Sequence, residues 1–176
     1  TFAAARSALR NRDGAALVAT LSQADRERAE RIRAAAVQGR VADMAALPPS
    51  ERFAAMGLRH YMKTADLKGR DVAALADYAV GQRWLDPKDV ARAELSRIRV
   101  QGDRATATLV VDNRPQIVPA NFIREQGRWK LDLSPTLDMT DALLRTQAAI
   151  TRKSEDQVIA EILERSSGRK VSALAR

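Results

Sequence analysis

His60 is the one histidine in this 176-residue chain. It lies in SERFAAMGLRHYMK, where Phe53, Met56, Gly57 and His60 recur at spacings of three and four. On a helix these residues share a face. An imidazole on an apolar face titrates near neutral pH and can act as a general base. Tyr61 adds a phenol beside it, and Tyr78 a second one further along. His60 with a Tyr or Asp partner is therefore the candidate proton-transfer site, with Tyr61 as the adjacent hydroxyl. The plainer alternative stands next to it. A lone His on such a face is more often a hydrogen-bonded core residue, and a Tyr at a core margin more often packs.

A binding site needs less chemistry than a catalytic one. Phe53, Met56, His60, Tyr78, Asn121 and Trp129 are the side chains able to line an apolar pocket with a few polar points. Asn121 sits beside Phe122 and Ile123, so it needs a partner or a ligand if it faces a core, or it faces water. Trp84 and Trp129 can line a ligand or simply pack. Asp132 alternates with Leu131 and should face away from it. Asp77 and Asp138 read as solvated or capping acids. Gly57 in mid-helix costs about 1 kcal/mol relative to Ala, which points to a close neighbour or to space left for a ligand. No nucleophile elbow, phosphate-binding Gly loop or His–carboxylate metal spacing occurs. The chain has no Cys, so disulfides and thiolate zinc sites are excluded. No metal or cofactor is expected.

Composition narrows the partners. Lys and Arg number 30 against 22 acids, for a net charge of +8. Such a balance raises nucleic acid or an anionic membrane as partners. The cations are spread from Arg6 to Arg176 among the acids, however, with no run of five like charges. A solvated basic surface is the expectation, without specific nucleic-acid binding. No apolar run approaches the length of a membrane span. The chain opens at Thr1 rather than Met, which fits either a trimmed start or removal of a leader. In the second case an exported, periplasmic location is expected.

The elements that must position these residues follow from periodicity. Ala- and Leu-rich helices are expected through Phe2–Arg10, after Asp13 as N-cap, and after the Ser22–Asp25 capping box up to Gly39. Pro48-Pro49 starts the His60 helix, Asp66 to Gly69 reads as a loop, and Asp71 opens the next helix. Asp86-Pro87 predicts one helical turn, with Trp84-Leu85 anchoring the connection. From Glu94 to Ser134 the pattern changes to a period of two. Ala105, Ala107, Leu109 and Val111 alternate with Thr106, Thr108 and Val110, and Trp129, Leu131 and Leu133 with Lys130 and Asp132. That is an antiparallel meander, covered on one face and wet on the other. Gly102-Asp103, Asp112 to Pro115 and Gln126-Gly127 mark its turns, and Pro119 a bulge or edge in a strand over QIVPANFIRE. Ser134-Pro135 closes the sheet. A helix follows with Leu137, Leu143, Leu144, Gln147 and Ile150 near one side. A second, capped by Ser154 and Gln157, ends at Gly168. The whole reads as one α+β domain over 1–176: helices over 1–92, sheet over 94–134, C-terminal helices over 136–168.

The opening Ala/Leu helix with RDGAALVATLS, and the meander ending in EQGRWKLDLS, resemble the nuclear-transport-factor-2-like superfamily of SnoaL-like, cystatin-like α+β rolls. The match covers about half the chain. The ending SEDQVIAEILERSSGRKVS resembles the tail of bacterial proteins of this type. The helical stretch over 23–47 is longer than the roll requires there, and the helices after Leu133 run past the end of many members. The resemblance implies a curved sheet wrapped around the N-terminal helices as a cone with an apolar cavity. Members include isomerases, dehydratases and cyclases, and also non-enzymatic binding and assembly domains. The expected function is a non-catalytic domain binding a small apolar ligand or a protein partner, with a homodimer through the sheet. The alternative is a cavity enzyme of the isomerase or dehydratase type, using His60 with a Tyr or Asp for proton transfer. The expected pocket has the His60 helix as one wall and the sheet as its closure.

Overall fold

Tight turns with left-handed backbone shape the sheet. Asp112 and Asn113 have φ of 49° and 61°, and Gln126 and Gly127 have φ of 49° and 75°. Positive φ at both central residues is what a two-residue type I′ hairpin turn demands. A third turn is made at Gly102, φ 58°. Between the turns, β-branched and alternating residues pair. A computed structural model describes residues 1–82 and 92–171. In it the antiparallel strands β1 (Ala93–Gln101), β2 (Arg104–Val111), β4 (Ala120–Glu125) and β5 (Arg128–Leu131) lie in the order β1-β2-β4-β5, with the short β3 (Arg114–Pro115) paired to β2. Ala105 stands opposite Phe122, Phe122 opposite Leu131, and Arg124 opposite Trp129. These residues therefore share the covered face, and Thr106 and Asn121 the other.

The fold is α+β. The described helices are α1 (Phe2–Asn11), α2 (Gly14–Thr20), α3 (Gln23–Gln38), α4 (Val41–Ala45), α5 (Pro49–Tyr61), α6 (Thr64–Lys68), α7 (Val72–Gly81), α8 (Ser134–Thr151) and α9 (Glu155–Ser167). Their starts follow the capping signals. Asp13 accepts from the Ala16 amide, Asp71 from the Ala74 amide, and Ser154 with Gln157 forms a complete capping box. Gly168, φ 68°, closes α9 with left-handed geometry.

The chain forms two compact units. The first comprises Thr1–Glu27 and Asp71–Thr136, and holds the sheet with α1, α2 and α7. Its core under the sheet is Ala105, Ala107 and Phe122, joined by Phe2, Leu95 and Trp129. Gly14 lets α2 approach α7. Its amide donates to Asp77 Oδ1, and a Cβ there would fall on the Ala73 carbonyl oxygen. The second unit comprises Arg28–Arg70 and Leu137–Arg176. There α5 and α9 run parallel: Arg52 bonds Asp156 at 2.6 Å near one end, and His60 meets Ser167 at the other. Met56, Leu144, Val158, Ile159 and Leu163 fill the space between them and α8. The single domain expected over 1–176 is thus described as two units.

Some expectations need correction. Arg114-Pro115 pairs as β3 instead of turning, because Asp112 and Asn113 complete the hairpin in two residues. Pro119 lies just before β4 and not within a strand, since its missing N–H cannot serve a ladder. Asp66 to Gly69 is not wholly loop: Thr64–Lys68 is helical and buries Leu67 completely. Leu133 is 40% exposed and Asp132 is buried, because strand pairing stops at Leu131 and the chain turns into α8. On α8, Leu144 is buried while Leu143 and Ile150 face outward, so the expected single stripe is two. The Asp86-Pro87 turn and the Trp84-Leu85 anchor lie outside the described residues.

Candidate functional site

In the first unit α1 lies along the covered face of the sheet and leaves a recess of about 510 Å³. Phe2, Leu95, Phe122 and Trp129 form its apolar walls, and Ala105 gives it depth because a small side chain stands between large ones. Ile98 and Val100 stand at its mouth, 61% and 56% exposed. Their presentation has a backbone cause. The β1–β2 register slips between Ser96 and Arg99, and Arg97 takes φ 49°. Two residues of β1 then stand against one of β2, a bulge that bends the strand and re-aims its side chains. Arg6 and Glu94 supply charges to the lining. The Arg124 guanidinium lies 4.6 Å from the Trp129 ring centroid, a cation–π contact that fixes the indole. Thr1 Oγ1 donates to the Trp129 carbonyl and ties the start of α1 to β5.

In the second unit Phe53, Met56, Gly57 and His60 do share a face of α5, and α9 covers it. Leu163 Cδ2 would lie 3.7 Å from a Cβ on Gly57, an ordinary contact, so the packing of α9 on this face does not require a glycine. Met56 is buried in the helical core. His60 Nε2 lies 2.7 Å from Ser167 Oγ. That hydroxyl already donates to the Arg169 carbonyl, so Nε2–H donates and Nδ1 is left as the acceptor. Burial lowers the His60 pKa below its ordinary value, and the Arg169 guanidinium lowers it further against a smaller opposite pull from Glu164. Tyr61 meets Ser166 Oγ at 2.9 Å. Arg169 reaches the His60 carbonyl at 3.3 Å and lies over the Tyr61 ring at 5.8 Å. The two candidate catalytic side chains thus join the helix ends through serines, with no carboxylate hydrogen-bonded to the imidazole in the contacts described. A second recess, also about 510 Å³, runs between α8 and α9 with Phe53 at its base and Leu143 and Ile162 on its sides.

The residues expected to line one pocket are therefore divided. Phe53, Met56, His60 and Tyr61 belong to the second unit, and Tyr78, Asn121 and Trp129 to the first. Within the first unit, Trp129 lines the recess under α1, while Asn121 projects from the other sheet face against Thr106. Its Oδ1 accepts from Thr106 Oγ1 at 3.4 Å, and its buried Nδ2 has no partner among the described residues. Tyr78 is half-buried on α7. Sequence reasoning missed Phe2, Leu95, Ile98 and Phe122 as lining residues. The signal available was parity: Phe122 stands one residue from Asn121 and so shares the Trp129 face, and aromatics are only 4% of the chain.

Two buried acids of the first unit hold local backbone in place. Asp25, 3% exposed, accepts from Ser22 Oγ and from the Leu133 amide. Asp132 accepts from Arg104 and from the Ser134 amide. Among the described residues no group of three His, Asp or Glu side chains could hold a metal ion, and no helix is long and apolar enough to cross a membrane. Compared with known proteins, the chain matches no family model, no curated protein and no solved structure.

Proposed function

We propose that the chain is a non-catalytic binding domain whose first unit takes a small apolar ligand between α1 and the sheet. One observation carries this reading: a recess of about 510 Å³ walled by Phe2, Leu95, Phe122 and Trp129. That volume lies within the range of small-molecule pockets, and apolar walls with a few polar groups are their usual lining. The resemblance to the nuclear-transport-factor-2-like roll agrees, because that roll holds its ligands between N-terminal helices and a curved sheet. Arg6 and Glu94 would orient polar ends of the ligand. The alternative, proton transfer by His60 with Tyr61, is less supported. The imidazole bonds Ser167, and among the described residues no carboxylate is hydrogen-bonded to it to orient it as a base.

The test is titration of delipidated protein with N-phenyl-1-naphthylamine, a neutral apolar fluorophore, alongside native mass spectrometry of the protein as purified. Val100→Glu places a charge at the mouth, where the side chain is already exposed. It should weaken probe binding about tenfold or more without altering the melting temperature. His60→Ala should leave probe binding unchanged. Probe binding that ignores Val100→Glu but is lost in His60→Ala would overturn the assignment to this recess.

A further inference from the structure

Helix α8 carries two stripes. The inner one is Asp141, Leu144 and Ala148, all buried. The outer one is Thr136, Met139, Leu143, Thr146 and Ile150, at successive spacings of three, four, three and four. This is the a/d repeat of a helix that packs along a partner helix. Its large members are uncovered: Met139 is 40% exposed, Leu143 62% and Ile150 73%. The positions flanking the seam are Thr140 and Gln147 on one side, Ala142 and Ala149 on the other. None is charged, although charged residues make up 30% of the chain. Asp138 and Arg145 lie off the seam, and Arg145 is within 3.8 Å of Glu155.

The charge pattern identifies the occupant. Two copies of a chain with net charge +8 repel, and they meet best through a strip that carries no charge. A membrane-surface helix would place Lys and Arg beside its apolar stripe, and a different partner helix would be selected by charges at the flanking positions. α8 has neither. We propose that this seam is the interface of a homodimer in which α8 packs antiparallel on α8 of a second copy. A two-fold axis through the middle of the seam sets Met139 of one copy against Ile150 of the other, and Leu143 against Thr146, each pair occurring twice. Ala142 and Ala149 allow the backbones to approach closely. The sheet is a poorer interface. Its edge strand β1 is broken by the bulge at Arg97 and carries Arg97 and Arg99, devices that keep an edge from pairing.

Sedimentation velocity on the full chain tests this. The seam is short, so a dissociation constant on the order of 10 µM is expected. Leu143→Glu and Ile150→Glu should each weaken the dimer about 30-fold or more, with unchanged circular dichroism and melting temperature because both sites are exposed. The chain has no Cys, so single-cysteine chains report the register cleanly. An oxidised mixture of Met139→Cys and Ile150→Cys chains should cross-link far more than either alone. A wild type that remains monomeric at about 500 µM would overturn the proposal. So would a dimer indifferent to both glutamates, or Met139→Cys cross-linking to itself as well as in the mixture. Loss of binding to phosphatidylglycerol vesicles by Leu143→Glu in a monomeric protein would also overturn it, and assign the seam to a membrane surface.

Discussion

Asp141 Oδ1 on α8 accepts a hydrogen bond from the backbone amide of Ser50 at 2.6 Å, so the start of α5 is capped from another helix. Pro48 offers α5 no side-chain cap of its own. Asp141 is 8% exposed. The bond is charge-assisted, and the carboxylate lies where the helix dipole favours negative charge. Asp141→Ala should therefore lower stability by about 2 kcal/mol, read by urea denaturation. Asp141→Asn, which keeps the acceptor but not the charge, should lose less. Equal loss from both, or none from either, would show that the cap is not what holds Asp141 in place.

Gly57 offers a gain. A helix-interior glycine costs about 1 kcal/mol relative to Ala. A Cβ at this position would meet Leu163 Cδ2 at 3.7 Å, an ordinary contact. Gly57→Ala should raise stability by roughly 0.5–1 kcal/mol. Gly57→Leu has no such room and should lower it by about 1–3 kcal/mol. A destabilising alanine in thermal melts would mean that α5 and α9 lie closer than described.

Gly14 is the opposite case. Its missing side chain is where the Ala73 carbonyl passes, and an added Cβ would also lie 2.7 Å from Asp77 Oδ1. Neither neighbour can yield cheaply, since one is backbone and the other accepts the Gly14 amide. Gly14→Ala should cost about 2–4 kcal/mol and lower the melting temperature accordingly. Little change on substitution would show that α2 and α7 can separate without penalty.

What was legible in the sequence was local. The alternation from Ala105 to Val111 and the turns at Gly102 and Gln126-Gly127 prescribe strands and hairpins, and Ser154 with Gln157 prescribes a helix start. Each is decided within a few residues. The misses depend on partners far along the chain. The bulge at Arg97 depends on registration against β2, and ELSRIRVQ alone reads as unbroken strand. The burial of Asp132 depends on where pairing with β4 ends. The candidate pocket suffered most. A face shared by Phe53, Met56 and His60 says that something covers it, and only the fold says that α9 does.

His60 gives the last prediction. Burial first, and then Arg169, lowers its pKa in the folded chain, while Glu164 opposes in part. In the unfolded chain its value is about 6.5. Between the two values the unfolded state binds more protons, so stability rises with pH across that window. Above the unfolded value His60 contributes no pH dependence. As pH falls below it a penalty develops, and the penalty is complete below the folded value. His60→Gln keeps a donor for Ser167 Oγ and removes the titration. Stability of wild type relative to this variant should therefore fall on acidification through the window and stay level above it. The chain has one histidine, so its imidazole proton signals in NMR give the folded pKa without assignment ambiguity. A midpoint at or above about 6.5 would contradict a desolvated imidazole held beside Arg169.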